Sequence, residues 1–172
     1  MLRLLMPDRA VHFDRALWHP DDTDENVAVH LINAICSVPT VSVELDRYPR
    51  THLDLIRYWP EFCRAHRDAI VHGTFEPEIR LGQVPLIRFT GQLDRIIGVF
   101  DDVAFAPGGT RLPVWILNAS ARSFVALVPD DLEGQRAVTT RDKFGQVTVH
   151  QAVTFQSVDC TSRWAAACTL PN

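Results

Sequence analysis

The sequence predicts an α+β chain: a helical first part with a short lead-in strand, then an antiparallel β-sandwich. Two observations predict it. Apolar residues recur at helical spacing within residues 1–75, and beyond a break near residues 73–83 they gather in short β-rich runs separated by turn residues. Gly73, Pro77 and Gly82 interrupt both patterns at that break. A length of 172 residues with 47% hydrophobic content suits one core or two small ones, so the expected division is 1–75 and 76–172.

In order along the chain, Met1 to Met6 reads as a buried strand, stopped by Pro7 and Asp8. It is shorter than the apolar stretch of a secretory leader, and no small-residue cleavage site follows, so a cytoplasmic location is expected. Asp22 is the expected N-cap of the first helix, with Glu25 three places on closing a capping box and Asp24 adding negative charge to the first turn. Val27, Ala28, Leu31, Ile32, Ala34 and Ile35 then form its apolar stripe, which stops near Ser37, and Pro39 blocks continuation. Val41, Val43 and Leu45 alternate with polar residues as a brief extended segment. A second helix is expected from Pro49, with an apolar face of Leu53, Ile56, Trp59, Phe62, Cys63, His66 and Ile70, a kink at Pro60 and an end at Gly73. The expected strands are 84–90, 96–100, 114–117, 124–128 and 147–155, with turns at Pro107-Gly108-Gly109, Pro129-Asp130-Asp131 and Phe144-Gly145.

Charge and composition remove several function classes. The 17 Lys and Arg against 21 Asp and Glu give a net charge of -4 with no basic cluster, so no nucleic-acid partner is expected. No apolar run approaches the roughly 20 residues of a membrane span. Cys36, Cys63, Cys160 and Cys168 have no C-x-x-C spacing and read as buried free thiols. Neither a metal nor a cofactor is expected. Asn118-Ala119-Ser120 matches a glycosylation sequon, read as coincidence in a chain with no leader. No G-x-S-x-G elbow, H-E-x-x-H motif or phosphate-binding loop occurs. His66-Arg67-Asp68 imitates a kinase catalytic loop without its companion motifs, and reads as the polar end of the second helix. Asp21, Asp22, Asp24 and Glu25 resemble a calcium loop, but Asn26 stands where such a loop needs Gly, and helix capping accounts for the charges.

An ordered series of segments carries a family resemblance. Trp18-His19-Pro20-Asp21-Asp22-Thr23, Glu25-Asn26 and Asn33 to Pro39 resemble the end of the catalytic barrel in melibiase-type α-galactosidases, glycoside hydrolase family 36 and its relatives. Ile56 to Trp59, Phe62, His66-Arg67-Asp68 and Gly73-Thr74-Phe75 resemble that family's last barrel helix and its exit. Ile116 to Ala119 and Arg141-Asp142 to Gly145 resemble its C-terminal sandwich. The resemblance implies the last strand and helices of a (β/α)8 barrel over 1–75, followed by an antiparallel β-sandwich over 76–172. It implies a retaining glycosidase acting on terminal α-galactosides, an O-glycosyl hydrolase that uses two carboxyl groups about 5–5.5 Å apart. In that family both are aspartates upstream of the matched region, so no catalytic residue is carried onto this chain, and the chain alone is expected to be inactive. A whole barrel takes about 250 residues, far more than 1–75 supplies.

The resemblance puts the Trp18–Asp21 loop at the carboxyl rim of the barrel. There Trp18 would stack on a sugar ring, and His19 or Asp21 would hydrogen-bond its hydroxyls; the bland alternative is a turn and helix cap with Trp18 simply packed. The expected partner is an α-galactoside or a related carbohydrate. A lone strand–helix unit leaves apolar faces and strand edges open, so oligomers, or pairing with a missing N-terminal portion of the same enzyme, are also expected. A second functional reading is a non-catalytic carbohydrate-binding or interaction sandwich using exposed aromatics, with Phe89, Phe105, Trp115 and Trp164 as candidates, although Phe89 and Trp115 sit in core-like runs.

Overall fold

A computed structural model describes residues 12–42, 44–108, 112–128, 135–154, 158–161 and 167–170 of this mixed α/β chain. The strand expected over residues 1–6 and the residue Trp164 lie outside the described residues. The first unit is β-α-β. Strands β1 (His12–Ala16) and β2 (Val38–Val41) pair in parallel, with helix α1 (Asp24–Asn33) and a 3-10 turn (Ala34–Cys36) between them. Parallel neighbours cannot be joined by a tight hairpin, and the helix supplies the crossover.

Helix α1 starts one residue later than the sequence predicts. Thr23 is its N-cap and accepts from the backbone N–H of Asn26 at 3.3 Å. Asp22 is committed elsewhere: its Oδ2 accepts from the His19 N–H at 3.0 Å and closes the preceding turn. Val27, Ala28, Leu31 and Ile32 are buried as the spacing predicts. Strand β2 also lies earlier than the expected 41–45 segment, because Leu45 is taken into a 3-10 turn (Leu45–Arg47).

Helix α2 (Arg50–Ala65) is capped by Pro49 and runs through Pro60. Its buried residues are His52, Leu55, Trp59 and Phe62; of the expected face, Trp59, Phe62 and Ile70 are buried and Ile56 and Cys63 pack partly buried against the core, while His52 and Leu55 join it unforeseen. The difference arises at the first turn, where His52 is buried with its Nε2 on the Asp22 carbonyl and Leu53 is only partly buried. A π turn (Asp68–His72) then buries Ala69 and Ile70, and the chain leaves it at Gly73. Gly73 is required by space: a Cβ there would lie 2.5 Å from the carbonyl oxygens of Ala69 and Thr90.

The sheet that follows has the strand order β3-β4-β5-β6-β11-β8-β9, with β3 (Thr74–Arg80), β4 (Gln83–Thr90), β5 (Arg95–Val99), β6 (Val114–Asn118), β8 (Gln135–Arg141), β9 (Val147–Thr154) and β11 (Ala167–Leu170). Strands β4, β5, β6 and β9 fall on expected runs. Strand β3 was not foreseen because Pro77 breaks its pattern, and β3 is an edge strand, where a proline is tolerated. The sheet is mixed, not wholly antiparallel, since β5 and β6 run parallel. In the described part of their connection, Phe105 packs on one face of the sheet, donates its N–H to Ala126 and accepts from Val128. A separate pair, β7 (Phe124–Leu127) with β10 (Val158–Thr161), is antiparallel.

Alternation along the central strands creates two apolar layers. Ile87, Phe89, Ile96 and Leu117 face the helices and form one cluster with Trp18, the α1 stripe, Leu55, Trp59, Phe62 and Ile70. Leu86, Ile97, Val99, Val114 and Ile116 face the other way and pack with Phe105, Val125 and Leu127. The helical segment before residue 73 and the strands after it thus meet across one continuous apolar layer.

A polar strut crosses from α1 to the turn between β8 and β9. Lys143 donates to Glu25 Oε1 at 2.9 Å, with both side chains partly buried, and this bond holds the Glu25 carboxyl below its usual value of 4.5. A lowered folded-state pKa gives stability that is present above the unfolded value and is lost as pH falls through the folded one. Glu25→Gln is therefore expected to cost about 0.5–1 kcal/mol at pH 7 by urea denaturation, and the gap from the parent should close below pH 4.5. An equal gap at acid and neutral pH would contradict this role for the ion pair.

Candidate functional site

The carboxyl ends of β1 and β2 lie side by side because the strands are parallel. The segment after β1 carries Trp18, His19, Asp21 and Asp22; the segment after β2 leads into Tyr48 and His52. The turn is built locally. Asp22 N–H donates to the His19 carbonyl at 3.0 Å, and Asp21 N–H donates to His19 Nδ1 at 3.2 Å. His19 Nδ1 also stands 3.4 Å from Asp21 Oδ2, and both side chains project into solvent, 72% and 91% exposed. The structure thus brings two of the expected sugar contacts together on the surface.

Trp18 is a different matter. It is 7% exposed, its ring centroid 6.4 Å from that of His30 and 6.0 Å from that of Tyr48. Tyr48 donates its hydroxyl to the Trp18 carbonyl at 2.7 Å. In this chain Trp18 lies packed beneath the turn, where its apolar area completes the α1 side of the core.

Sequence reasoning passed over Tyr48 and assigned no role to His52, the histidine that fixes this loop. His52 is 1% exposed, with Nε2 3.0 Å from the Asp22 carbonyl and 3.5 Å from Asp24 Oδ1. A carbonyl only accepts, so Nε2 carries the proton and donates. His52 Nδ1 and Trp18 Nε1 are buried without a hydrogen-bond partner among the described residues. The sequence signal for His52 was weak: a lone histidine three residues after Pro49 breaks the apolar stripe.

The other singled-out groups have structural roles. His66 Nδ1 pairs closely with Asp94 Oδ2, both side chains largely buried, and the imidazole lies between Phe62 and Trp115 at 4.3 and 4.6 Å between centroids. This joins the end of α2 to the turn between β4 and β5. Asp68 accepts from the Gln92 N–H of the same turn at 2.7 Å, so His66-Arg67-Asp68 clamps a helix end to the sheet. Cys63, one turn before His66, has its thiol pushed up to about 11 by burial, the opposite of an activated nucleophile. The sequon is sealed: Asn118 is 2% exposed, donates Nδ2 to the Arg122 carbonyl at 2.9 Å and accepts from Ser120 at both N–H and hydroxyl. Phe89 and Phe105 are buried, and Trp115 packs on Phe62, so these three offer no exposed glycan platform. Among the described residues, no three or more His, Cys, Asp or Glu side chains form a group able to hold a metal ion, and no helix is long and apolar enough to cross a membrane.

Searches against protein-family models, curated proteins and solved structures return no match to this chain.

His52→Ala should remove the prop under the Asp22 carbonyl and open a cavity beside Tyr48. A loss of about 2–4 kcal/mol is expected, combining a lost buried hydrogen bond with cavity formation. Urea unfolding followed by tryptophan fluorescence measures it; a variant as stable as the parent would show that the loop is held by other contacts.

Proposed function

We propose that this chain is the C-terminal portion of a retaining α-galactosidase-like glycoside hydrolase acting on terminal α-galactosides. One observation carries the reading: β1 and β2 pair in parallel through α1, with an exposed His19–Asp21 pair at their carboxyl ends. Barrel enzymes gather substrate-contacting residues at that end of their strands. The order that follows, a second helix and then a sheet with an additional β layer, agrees with a barrel's last units leading into a sandwich. The parallel β5–β6 pair departs from a purely antiparallel sandwich.

In this reading His19 and Asp21 hydrogen-bond sugar hydroxyls, and Trp18, Tyr48 and His52 hold their loop in place. The two carboxyl groups that retention requires lie on strands outside this chain. The α1–β1–β2 unit supplies part of the rim and no step of bond cleavage. Any proton transfer to the leaving oxygen then belongs to a residue beyond residues 1–172.

The test is enzymatic. The purified 172-residue chain should give no turnover of 4-nitrophenyl α-galactoside. A continuous polypeptide read in frame from upstream of Met1 should hydrolyse it with retention, and His19→Ala with Asp21→Ala should lower its kcat/KM by about 10–100-fold. Turnover by the chain alone, or a genuine promoter and ribosome site directly before Met1, would overturn the proposal.

A further inference from the structure

Helix α2 carries two stripes. His52, Leu55, Trp59 and Phe62 are buried; one position back, Thr51, Asp54, Tyr58 and Glu61 follow the same spacing on the flank of the helix. That flank does not face open solvent everywhere. The turn between β8 and β9 stands beside it and borders an open, shallow cleft of about 440 Å³, lined by the flank with Arg57, Phe144 and Gln146. The volume falls within the range of small-molecule sites.

The far wall is a built feature. Lys143 ties the turn to Glu25 of α1. Asp142 Oδ1 accepts from the N–H groups of Phe144 and Gln146, both at 2.9 Å, and Arg141 donates to the Gly145 carbonyl at 2.8 Å. Gly145 has φ 78°, and a Cβ there would run into the Tyr58 ring. Two separate constraints thus demand glycine where the turn closes on α2. Burial raises the Tyr58 hydroxyl above its ordinary value.

We propose that this cleft binds a neutral, hydroxyl-rich ring of the pyranose class. Tyr58 and Phe144 offer the aromatic surface that an apolar sugar face covers. Asp54 and Arg57, paired at 3.0 Å, with Glu61 and Gln146, offer acceptors and donors side by side, the arrangement that vicinal hydroxyls satisfy. The site is separate from the His19–Asp21 rim, uses none of its residues and does not depend on the glycosidase reading.

The whole chain, ¹⁵N-labelled, is titrated with methyl α-D-galactoside, methyl α-D-glucoside and, as a cationic control, choline. At least one of the two glycosides should shift the amides of Phe144, Gly145 and Gln146 with a roughly millimolar Kd. Glu61→Gln and Gln146→Ala, both at exposed positions, should each weaken binding about ten-fold without changing the melting temperature. Shifts confined to residues 19–24 would overturn the cleft proposal while leaving the rim reading intact. Shifts at the cleft without any at the rim would support the cleft whatever becomes of the rim. Binding of choline alone, no binding of any probe, or binding unchanged in both variants would overturn it.

Discussion

Trp59 and Phe62 sit where α2 crosses the sheet, and the remaining elements are arranged around that contact. Both are buried, and with Leu55 they share a layer with Phe89, Ile87, Ile96 and Leu117 from the central strands. Each fully buried side chain of this kind contributes about 1.5–3 kcal/mol. α1 reaches the same layer through Leu31 and Ile32, and the 3-10 turn after it through Ile35, so the β-α-β unit shares its apolar layer with α2 and the sheet. The loop after β1 is one step further out, propped by His52 from the first turn of α2. An error in the seating of α2 would therefore be transmitted to Asp22 and to the His19–Asp21 pair.

Polar contacts set the fine alignment of this packing. His66 with Asp94 and Asp68 with the Gln92 amide fix the far end of α2 on the β4–β5 turn. Lys143 with Glu25 fixes the near side through α1. The apolar layer alone is non-directional; these three links select one orientation of the helices on the sheet. The β8–β9 turn is held by the last of these links, beside the flank of α2.

Much of this was legible in the sequence, for identifiable reasons. Val27 to Ile32 and the 84–90 and 114–117 runs have a single strong period, and each became the expected element. The errors lie where a polar residue does the work of an apolar one. His52 replaces Leu53 in the buried stripe because its imidazole has a carbonyl to bond, and no apolar count registers that. Thr23 displaces Asp22 as the cap because Asp22 is used by the turn before it. β3 was hidden by Pro77, and the parallel pairing of β5 with β6 depends on a crossover that has no local signature. At the site, the loop containing His19 and Asp21 was anticipated from a resemblance, whereas the inward turn of Trp18 follows from packing with His30 and Tyr48, which only the fold reveals.

The dependence of the loop after β1 on the α2–sheet layer is most directly measured by native-state amide hydrogen exchange across a series of low denaturant concentrations. The account predicts that the amides of α1, α2 and β4–β6 that exchange slowest converge on one opening free energy and one denaturant slope, as parts of a single cooperative unit. Helices that open at distinctly lower free energy while the sheet keeps its full protection would contradict it, and would show that the β-α-β unit does not need the sheet to hold its loop.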